Sequence, residues 1–550
     1  MRIRRTSDGL TVYAVAGTDV VLLGFNLPGN KTADLMGFAI RRTDHERGET
    51  VWLQGFKRFP STDPGTPPGE GVSTRDHPIQ SFQWADYGVR PGQRFSYEVI
   101  ALRGTPAALV EAQDVTVEVV TETRDGSNHR IWFNRGAASS QAYVHRFGNR
   151  TPDEVGQPAF DWLSRGLFEA YTGFLARANS AQWQVRAALY ECHYLDALLP
   201  LRDAKRRGAD VRIVYDGRDA ELRTKNETAL DEAALISRSR ARAANPGAIA
   251  HNKFIVLIEN GHPRAVWTGS MNLSVNGIYG QSNVGHWVED ATIAAAYLDY
   301  WERLNEDPEF AEMRAADDAA SSIDTGSIHS GATALFSPRN GNAQLQRIAG
   351  LIGDAKRAAF ITLPFGVVAT MAPALTRDDG ILRCILLDSA GSAASHRAAL
   401  RTARALPNVI AAIGNRIETN ALDAWVQEVA NPWSTNVEYV HTKYALIDPL
   451  GNDPIVITGS ANFSDPSVKS NDENTLVIRG DKRVADIYVG EFRRLFDHHA
   501  FRESVKTRGM SAVEDPTPLK EEPADWLVRH FDDGGPGELR RLYFSGSPVA

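Results

Sequence analysis

Two textures of apolar patterning divide the chain. Before about residue 122, apolar positions come in short alternating runs such as Thr11-Val12-Tyr13-Ala14-Val15, Val20 to Phe25 and Met36 to Ile40, separated by Gly, Pro and Asp. Alternation bounded by turn residues predicts strands, and several short strands in succession predict an all-β sandwich. From Arg130 onward strands alternate with helical spacings, the pattern of an α/β layer fold. Ile131-Trp132-Phe133, Trp183 to Cys192 and Val211 to Tyr215 read as strands; Leu167 to Leu175, Leu195 to Arg207 and Ile293 to Leu304 read as helices. Asn305 to Ala332 is acidic, rich in Ser and Ala and weakly periodic, which predicts a linker.

Beyond that linker the order repeats. Leu335-Phe336 answers Trp132-Phe133, Leu382 to Leu387 answers Val211 to Tyr215, and Val484 to Phe496 answers the first closing helix. The repeat is sharpest at two polar motifs. His251-Asn252-Lys253 followed by Gly269-Ser270-Met271-Asn272 recurs as His441-Thr442-Lys443 followed by Gly459-Ser460-Ala461-Asn462, and 251 to 441 and 270 to 460 are the same offset of 190 residues. Accidental agreement of five residue types at one offset has odds on the order of 10⁻⁴, so the chain contains one unit twice. The expected division is a sandwich over 1–122, a first repeat over 123–304, the linker over 305–332, a second repeat over 333–508, and a tail over 509–550 whose Trp526, Leu527 and Phe531 predict a docked short helix.

Each His-x-Lys opens an apolar run, Phe254 to Ile258 and Tyr444 to Ile447, read as a buried strand, and a second run leads into each Gly-Ser-x-Asn. Period-two alternation puts His and Lys on one face. The Gly is expected to let an anion approach the backbone at the end of the neighbouring strand. This pattern resembles the phospholipase D superfamily, whose members carry two His-x-Lys motifs, each with a downstream Gly-Ser-x-Asn; the resemblance covers roughly the last three quarters of the chain. It implies two α/β/α sandwich repeats packed as a pseudo-dimer around one cleft. An Asp five residues after the Lys is common in that family and mostly structural there; Asp448 supplies it in the second copy, whereas Ile258 stands in the first. Gly37 to Arg42 and Arg90 to Ala101 resemble the third and sixth strands of a fibronectin type III domain.

Composition narrows the partners. The chain has 550 residues, 43% of them hydrophobic, and a formal net charge of −8, which speaks for globular domains and against a broadly basic nucleic-acid surface. Cys192 and Cys384, the two cysteines, lie in apolar runs and are expected as buried free thiols, with no disulfide framework and no thiolate metal site. Met1 to Arg5 is basic, but no apolar segment follows it, so a cytoplasmic location is expected. Because one chain carries both half-sites, a monomer suffices.

The resemblance also implies a chemistry. Lys253 and Lys443, with donors from Ser270, Asn272, Ser460 and Asn462, would clamp the non-bridging oxygens of a phosphodiester. No metal or cofactor is then called for. One histidine would attack phosphorus to give a phosphohistidine, and the other would protonate the leaving oxygen. Glu473, eleven residues after Asn462, resembles the family's carboxylate that orients the motif histidine; the same spacing from Asn272 reaches Asn283. Pairing each residue with the histidine of its own copy puts the carboxylate on His441, favouring its protonated form, and the amide on His251, suiting it as the neutral nucleophile. Phospholipid is the leading substrate, with peripheral membrane contact. Family nucleases use the same residues, so DNA or RNA is the alternative, and a catalytically silent phosphate-binding module is a third. Among other residues, His498-His499 is expected to face solvent at a helix end, Lys205 to Arg207 to offset a helix dipole, Trp267 to be core, and Trp433 to be open to substrate contact.

Overall fold

In a computed structural model, which describes residues 1–65, 70–125, 128–321, 328–414, 439–507 and 518–548, the alternating N-terminal runs form two facing four-stranded sheets. One sheet runs in the order Arg2–Ser7, Leu10–Ala16, Val21–Asn26, Gln83–Asp86; the other runs Ala108–Val120, Arg94–Thr105, Leu35–Asp44, Glu49–Trp52. Leu10, Val12, Ala14 and Ala16 take alternate positions of one strand and bury against Phe25, Phe38 and Phe82 between the sheets. The tail closes this core. Trp526, in the short helix Pro523–Leu527, stacks on Phe82 at 5.7 Å and donates its indole N–H to the Leu35 carbonyl at 3.0 Å.

Each later half builds a seven-stranded sheet with one topology. The first runs His129–Phe133, Val284–Val288, His262–Gly269, Lys253–Glu259, Trp183–Leu189, Asp210–Asp216, Ser239–Arg242; the second runs Gly331–Ser337, Glu473–Arg479, Ile455–Gly459, Tyr444–Ile447, Ala358–Leu363, Leu382–Leu387, Val409–Ile413. In both, the last three strands are parallel and the remaining pairs antiparallel. The strand after each His-x-Lys is fourth of seven, and every residue of Phe254 to Ile258 and Tyr444 to Ile447 is buried. That central place explains why these runs are apolar throughout rather than alternating. Asp448 is structural: its carboxylate accepts from the Lys356, Arg357 and Ala358 amides at 2.8, 2.7 and 3.0 Å, holding the start of the neighbouring strand.

The halves meet through their closing helices. Tyr300 of helix Ala291–Glu306 stacks on Phe336 of the second half at 4.3 Å, and Tyr488 of helix Lys482–Thr507 meets Phe133 of the first half edge-on at 5.3 Å. The sandwich docks on the outside of the second half. Arg2 pairs with Asp486 at 2.8 Å, and Gly24 lies so close to the chain at Phe544 that a Cβ there would stand 1.9 Å from its carbonyl oxygen.

Two elements differ from the sequence expectation. Phe310–Ala320, within the expected linker, is a helix, anchored where buried Asp317 meets Arg303 at 3.1 Å. The second closing helix continues to Thr507, and its added turns take His499 into the interior, 1% exposed, with His498 half-buried rather than solvent-facing. Trp433 lies outside the described residues. Among the described residues no helix is long and apolar enough to cross a membrane.

Candidate active site

Each His-x-Lys segment is held by the opposite half. Ala250 forms a parallel bridge with Asp472, and the His251 amide donates to the Asp472 carbonyl at 3.0 Å; Ser282 bridges Val440 in the same sense, with its amide on the Tyr439 carbonyl at 2.8 Å. Buried carboxyl groups brace the same turns from within each half. Asp216 accepts from the Ala250 amide at 3.1 Å, and Asp388 from the Tyr439 and Val440 amides at 2.7 and 2.8 Å. Arg242 locks the crossing by pairing with Asp472 at 2.9 Å and with Asp307 at 2.6 Å, all three side chains buried or nearly so.

The crossing decides which residue anchors which ring. Glu473 follows Asp472 directly, so its carboxyl lands on the first half's histidine: His251 Nδ1 lies 2.9 Å from Glu473 Oε2. Asn283 follows Ser282, and its Oδ1 lies 2.8 Å from His441 Nδ1. The expected pairing within each copy is therefore corrected: the carboxyl belongs to His251 and the amide to His441. Asn283 Nδ2 donates to the Gly277 carbonyl at 2.8 Å, which fixes Oδ1 toward His441, so Nδ1 of that ring carries a proton and Nε2 is left for chemistry.

The Gly-Ser pairs also act differently from expectation. Ser270 donates its hydroxyl to Asn283 Oδ1 at 2.8 Å and accepts from the Val284 amide at 3.1 Å; Ser460 donates to Glu473 Oε2 at 2.8 Å and accepts from the Asn474 amide at 3.0 Å. With their protons so engaged, both serines position the anchors and have none to offer a phosphate oxygen. The glycines are needed for strand packing rather than for anion approach. Gly269 and Gly459 have φ of 132° and 148°, and a Cβ would fall 2.2 Å from the Val284 carbonyl oxygen and 2.3 Å from that of Asn474.

Four basic groups converge on the cleft. Lys253 Nζ donates to the His251 carbonyl at 2.7 Å and sits 5.0 Å from the Tyr190 ring; Lys443 Nζ donates to the His441 carbonyl at 2.5 Å. Burial pushes Lys253 down to about 8, against the charges of Glu473, Glu191 and Asp216. Lys443 is also driven well down, by burial and then by Lys253. Burial and the two lysines hold both motif histidines well below the ordinary range, opposed by a hydrogen bond with the Ser460 backbone at His251 and with the Ser270 backbone at His441. Burial raises the Glu473 carboxyl to about 8, with Lys253, the Ser460 hydroxyl and Lys443 pulling the other way. Lys253 thus depresses Lys443, and the two lysines together depress both rings, so the crossing holds four basic groups within electrostatic reach of one another.

Asn272 and Asn462, 3% and 8% exposed, have side-chain oxygens with no hydrogen-bond partner among the described residues. Two neighbours escaped sequence reading. Glu191, 3% exposed, accepts at Oε2 from Asn272 Nδ2 at 2.9 Å and from the Ser274 hydroxyl at 3.0 Å, and the Tyr190 ring lies 4.9 Å from that of His251. Neither has a counterpart of its own type in the second copy, so no repeat pointed to it. Trp267 is core, stacked on Trp132, and both cysteines are buried and free.

A family model described as cardiolipin synthase, PLD-like domain, matches residues 174–305 and 389–496, one His-x-Lys motif in each segment. No curated protein sequence matches the chain. Among solved structures, phosphatidylserine synthase of Haemophilus influenzae is 14% identical with a TM-score of 0.43, over 61% of this chain and 85% of that one. The yeast tyrosyl-DNA phosphodiesterase is 11% identical with a TM-score of 0.31, over 57% and 88%. Nuc of Salmonella typhimurium, a phospholipase D family member, is 18% identical with a TM-score of 0.23, over 30% and 94%. The family match falls on both copies, so the duplicated region carries two PLD-like domains, each with its own His-x-Lys and Gly-Ser-x-Asn.

Proposed function

We propose that this protein is a phosphodiesterase in which the two halves act on one phosphorus atom, with His251 as nucleophile and His441 as general acid. The carrying observation is the unequal, crossed anchoring of the two rings. Attack by His251 Nε2 forms an N–P bond and leaves the ring positively charged, and the Glu473 carboxyl at Nδ1 offsets that charge. As the P–O bond breaks, the leaving oxygen takes the Nε2 proton of His441. An amide behind His441 orients the ring without adding charge, so it holds that proton less tightly than a carboxylate would require. Water then attacks phosphorus, His441 Nε2 receives its proton, and the N–P bond breaks to restore His251.

The roles proposed are those expected from the sequence, but the reason for them reverses: His251 is suited to attack because it has the carboxyl. Lys253 and Lys443 hold the non-bridging oxygens as charge builds on them, joined by the Asn272 and Asn462 amides. With two ammonium groups supplying that charge, the scheme calls for no metal. Phospholipid is favoured as substrate by the net charge of −8 and by Phe365, 36% exposed two residues past the strand Ala358–Leu363 that flanks Lys443.

The experiment is an acid quench after mixing with phosphorus-labelled phosphatidylcholine vesicles or labelled single-stranded DNA, chelator present. Label on His251 from the lipid is expected, and none with His251→Ala. Label on His441 would overturn the roles, label from DNA alone would overturn the lipid reading, and activity lost to chelator would overturn the lysine clamp.

A further inference from the structure

Attack by His251 needs a lone pair on Nε2, and therefore the ring's proton on Nδ1. The contact with Glu473 does not ensure this alone. Burial raises that carboxyl to about 8, and in its neutral form a carboxyl 2.9 Å from Nδ1 can either accept the ring's proton or donate its own. The second arrangement leaves Nε2 protonated and unable to attack. What decides between them lies on the other side of Oε2, where Ser460 stands at 2.8 Å. A serine hydroxyl has one proton and two lone pairs. Both lone pairs of Ser460 are filled by Asn474, whose backbone amide donates at 3.0 Å and whose side-chain Nδ2 donates at 3.1 Å. Ser460 can then accept nothing from Glu473 and can only donate to it. A carboxyl oxygen that receives such a bond is better used as the carbonyl or carboxylate oxygen than as the one carrying hydrogen, so Oε2 is left to accept from His251 Nδ1.

The side chain of Asn474 can face only one way. Tyr300 donates its hydroxyl to the Ser337 carbonyl at 2.6 Å, so its oxygen accepts from Asn252 Nδ2 at 3.1 Å, and Asn252 turns Oδ1 toward Asn474 Nδ2 at 2.9 Å. On its other side Asn474 Oδ1 accepts from the Thr268 and Tyr297 hydroxyls at 2.6 and 3.0 Å. The first copy builds the same backbone contact without this chain. There the Val284 amide donates to Ser270 at 3.1 Å with no side-chain donor beside it. Thr442 replaces Asn252, and its buried hydroxyl has no hydrogen-bond partner among the described residues. The repeated fold therefore does not require the chain, and the chemistry accounts for the difference: the Asn283 oxygen behind His441 carries no proton that could be misplaced, whereas the Glu473 carboxyl can.

Resting on the reading of His251 as nucleophile, we propose that Asn474, oriented by Asn252, is a positioning residue that sets the tautomer of His251: by filling the second lone pair of Ser460 it commits the serine proton to Glu473 Oε2, keeps the ring's proton on Nδ1 and frees Nε2 for attack. Three of the five partners of its side chain, Asn252, Thr268 and Tyr297, belong to the opposite half, so the reactive tautomer depends on the two halves being joined.

Nitrogen-15 spectra of histidine-labelled full-length protein near neutral pH test this, with His251→Ala identifying the ring. His251, held well below the ordinary histidine range, is uncharged there, so its two nitrogens report the tautomer alone. The wild type should carry the proton on Nδ1. Asn474→Asp keeps the shape but puts an acceptor where Nδ2 stood and draws the Ser460 proton away; the ratio of the Nδ1–H to the Nε2–H form should fall by about tenfold, the weight of one hydrogen bond. Asn474→Leu, uncharged and of like size, empties one lone pair and should move the ratio the same way by a smaller factor, which separates the effect from that of a new charge. Ser460→Ala, which cuts the link itself, serves where neither variant is recovered and should shift the ratio in the same direction. The nitrophenolate burst from bis(4-nitrophenyl) phosphate should fall in proportion to the Nδ1–H fraction. A wild-type ring protonated on Nε2, or a ratio that the recovered variants leave unmoved, overturns the proposal. A ratio that moves as expected in a protein that hydrolyses no diester would instead sink the phosphodiesterase reading and leave the positioning role standing.

Discussion

Adding sulfate to the protein probes the lysine clamp without any turnover, and the outcome can be worked from the site. Lys253 is pushed down to about 8, chiefly by burial, so at pH 8 about half of these ammonium groups have lost their proton. An anion between Lys253 and Lys443 favours the charged form of each, and an opposite charge within roughly 4–6 Å raises a cation's pKa by about 1–3 units. One unit already returns Lys253 to about 90% protonated, an uptake of about 0.4 proton. Glu473, raised to about 8, is also near half-titrated there, and a neighbouring anion raises it further, adding up to about half a proton. Lys443, driven down by burial and by Lys253, adds its own share in the same direction. The sum is about one proton taken up at pH 8, so affinity should fall about tenfold from pH 8 to pH 9, or about 1.4 kcal/mol.

Sulfate does not titrate in this range, so every proton comes to the protein. Titration calorimetry in buffers of different ionisation heat reads the number directly. At pH 6.5 Lys253 is already almost fully protonated and its share drops to a few per cent. Proton release at pH 8, or no exchange at all, would mean that the two ammonium groups do not face a common anion, and the clamp would fail with them.

Other outcomes follow from the anchoring and the packing. At pH 9, where a Glu473 carboxyl raised to about 8 is largely ionised, Glu473→Gln removes the charge behind a ring that turns cationic while Ser460 keeps an oxygen facing it; the burst of nitrophenolate from bis(4-nitrophenyl) phosphate, read by stopped flow, should slow by about 10²-fold. Asn283→Asp puts a carboxylate against His441 and should raise that ring's pKa by about 1–3 units, moving the alkaline limb of the rate profile to higher pH. Gly269→Ala or Gly459→Ala forces a Cβ onto a backbone carbonyl, costing about 2–5 kcal/mol in denaturant melts and disturbing the anchor on the adjoining strand. Arg242→Ala leaves Asp472 buried without its partner and should cost about 3–5 kcal/mol, more than Asp472→Asn, which removes the charge but keeps the shape.

The duplicated sheets and the residues at their centre were legible because apolar periodicity and a fixed offset are local signals. Trp526 was legible too, as an isolated apolar cluster in an acidic tail. The crossed anchoring was not. Offset arithmetic assigns Glu473 to its own copy, and in a pseudo-dimer the same residue can serve either half; what decides is the bridge of Ala250 to Asp472 and of Ser282 to Val440, a contact between segments 222 and 158 residues apart. The serines misled for a related reason. A hydroxyl in a polar motif looks like a ligand donor until the side chain it serves, the Asn283 amide or the Glu473 carboxyl, is placed beside it. The helix Phe310–Ala320 was hidden by weak periodicity, since little but Met313 and Asp317 is buried on it.

Duplication sets a physical problem that the departures from symmetry answer. Two identical half-sites would present two histidines with one basicity, whereas the proposed reaction asks one ring to gain positive charge and the other to give up a proton. The His-x-Lys motifs cannot make that distinction, because they are the same in both copies. It has to come from what stands behind each ring, and here the backbone exchange lets each half impose its anchor on the other: a carboxyl held by Ser460 behind His251, an amide held by Ser270 and Gly277 behind His441. On this reading the chemical direction of the site resides in one pair of unmatched residues, and exchanging Glu473 with Asn283 should reverse the roles of the histidines while leaving both motifs untouched.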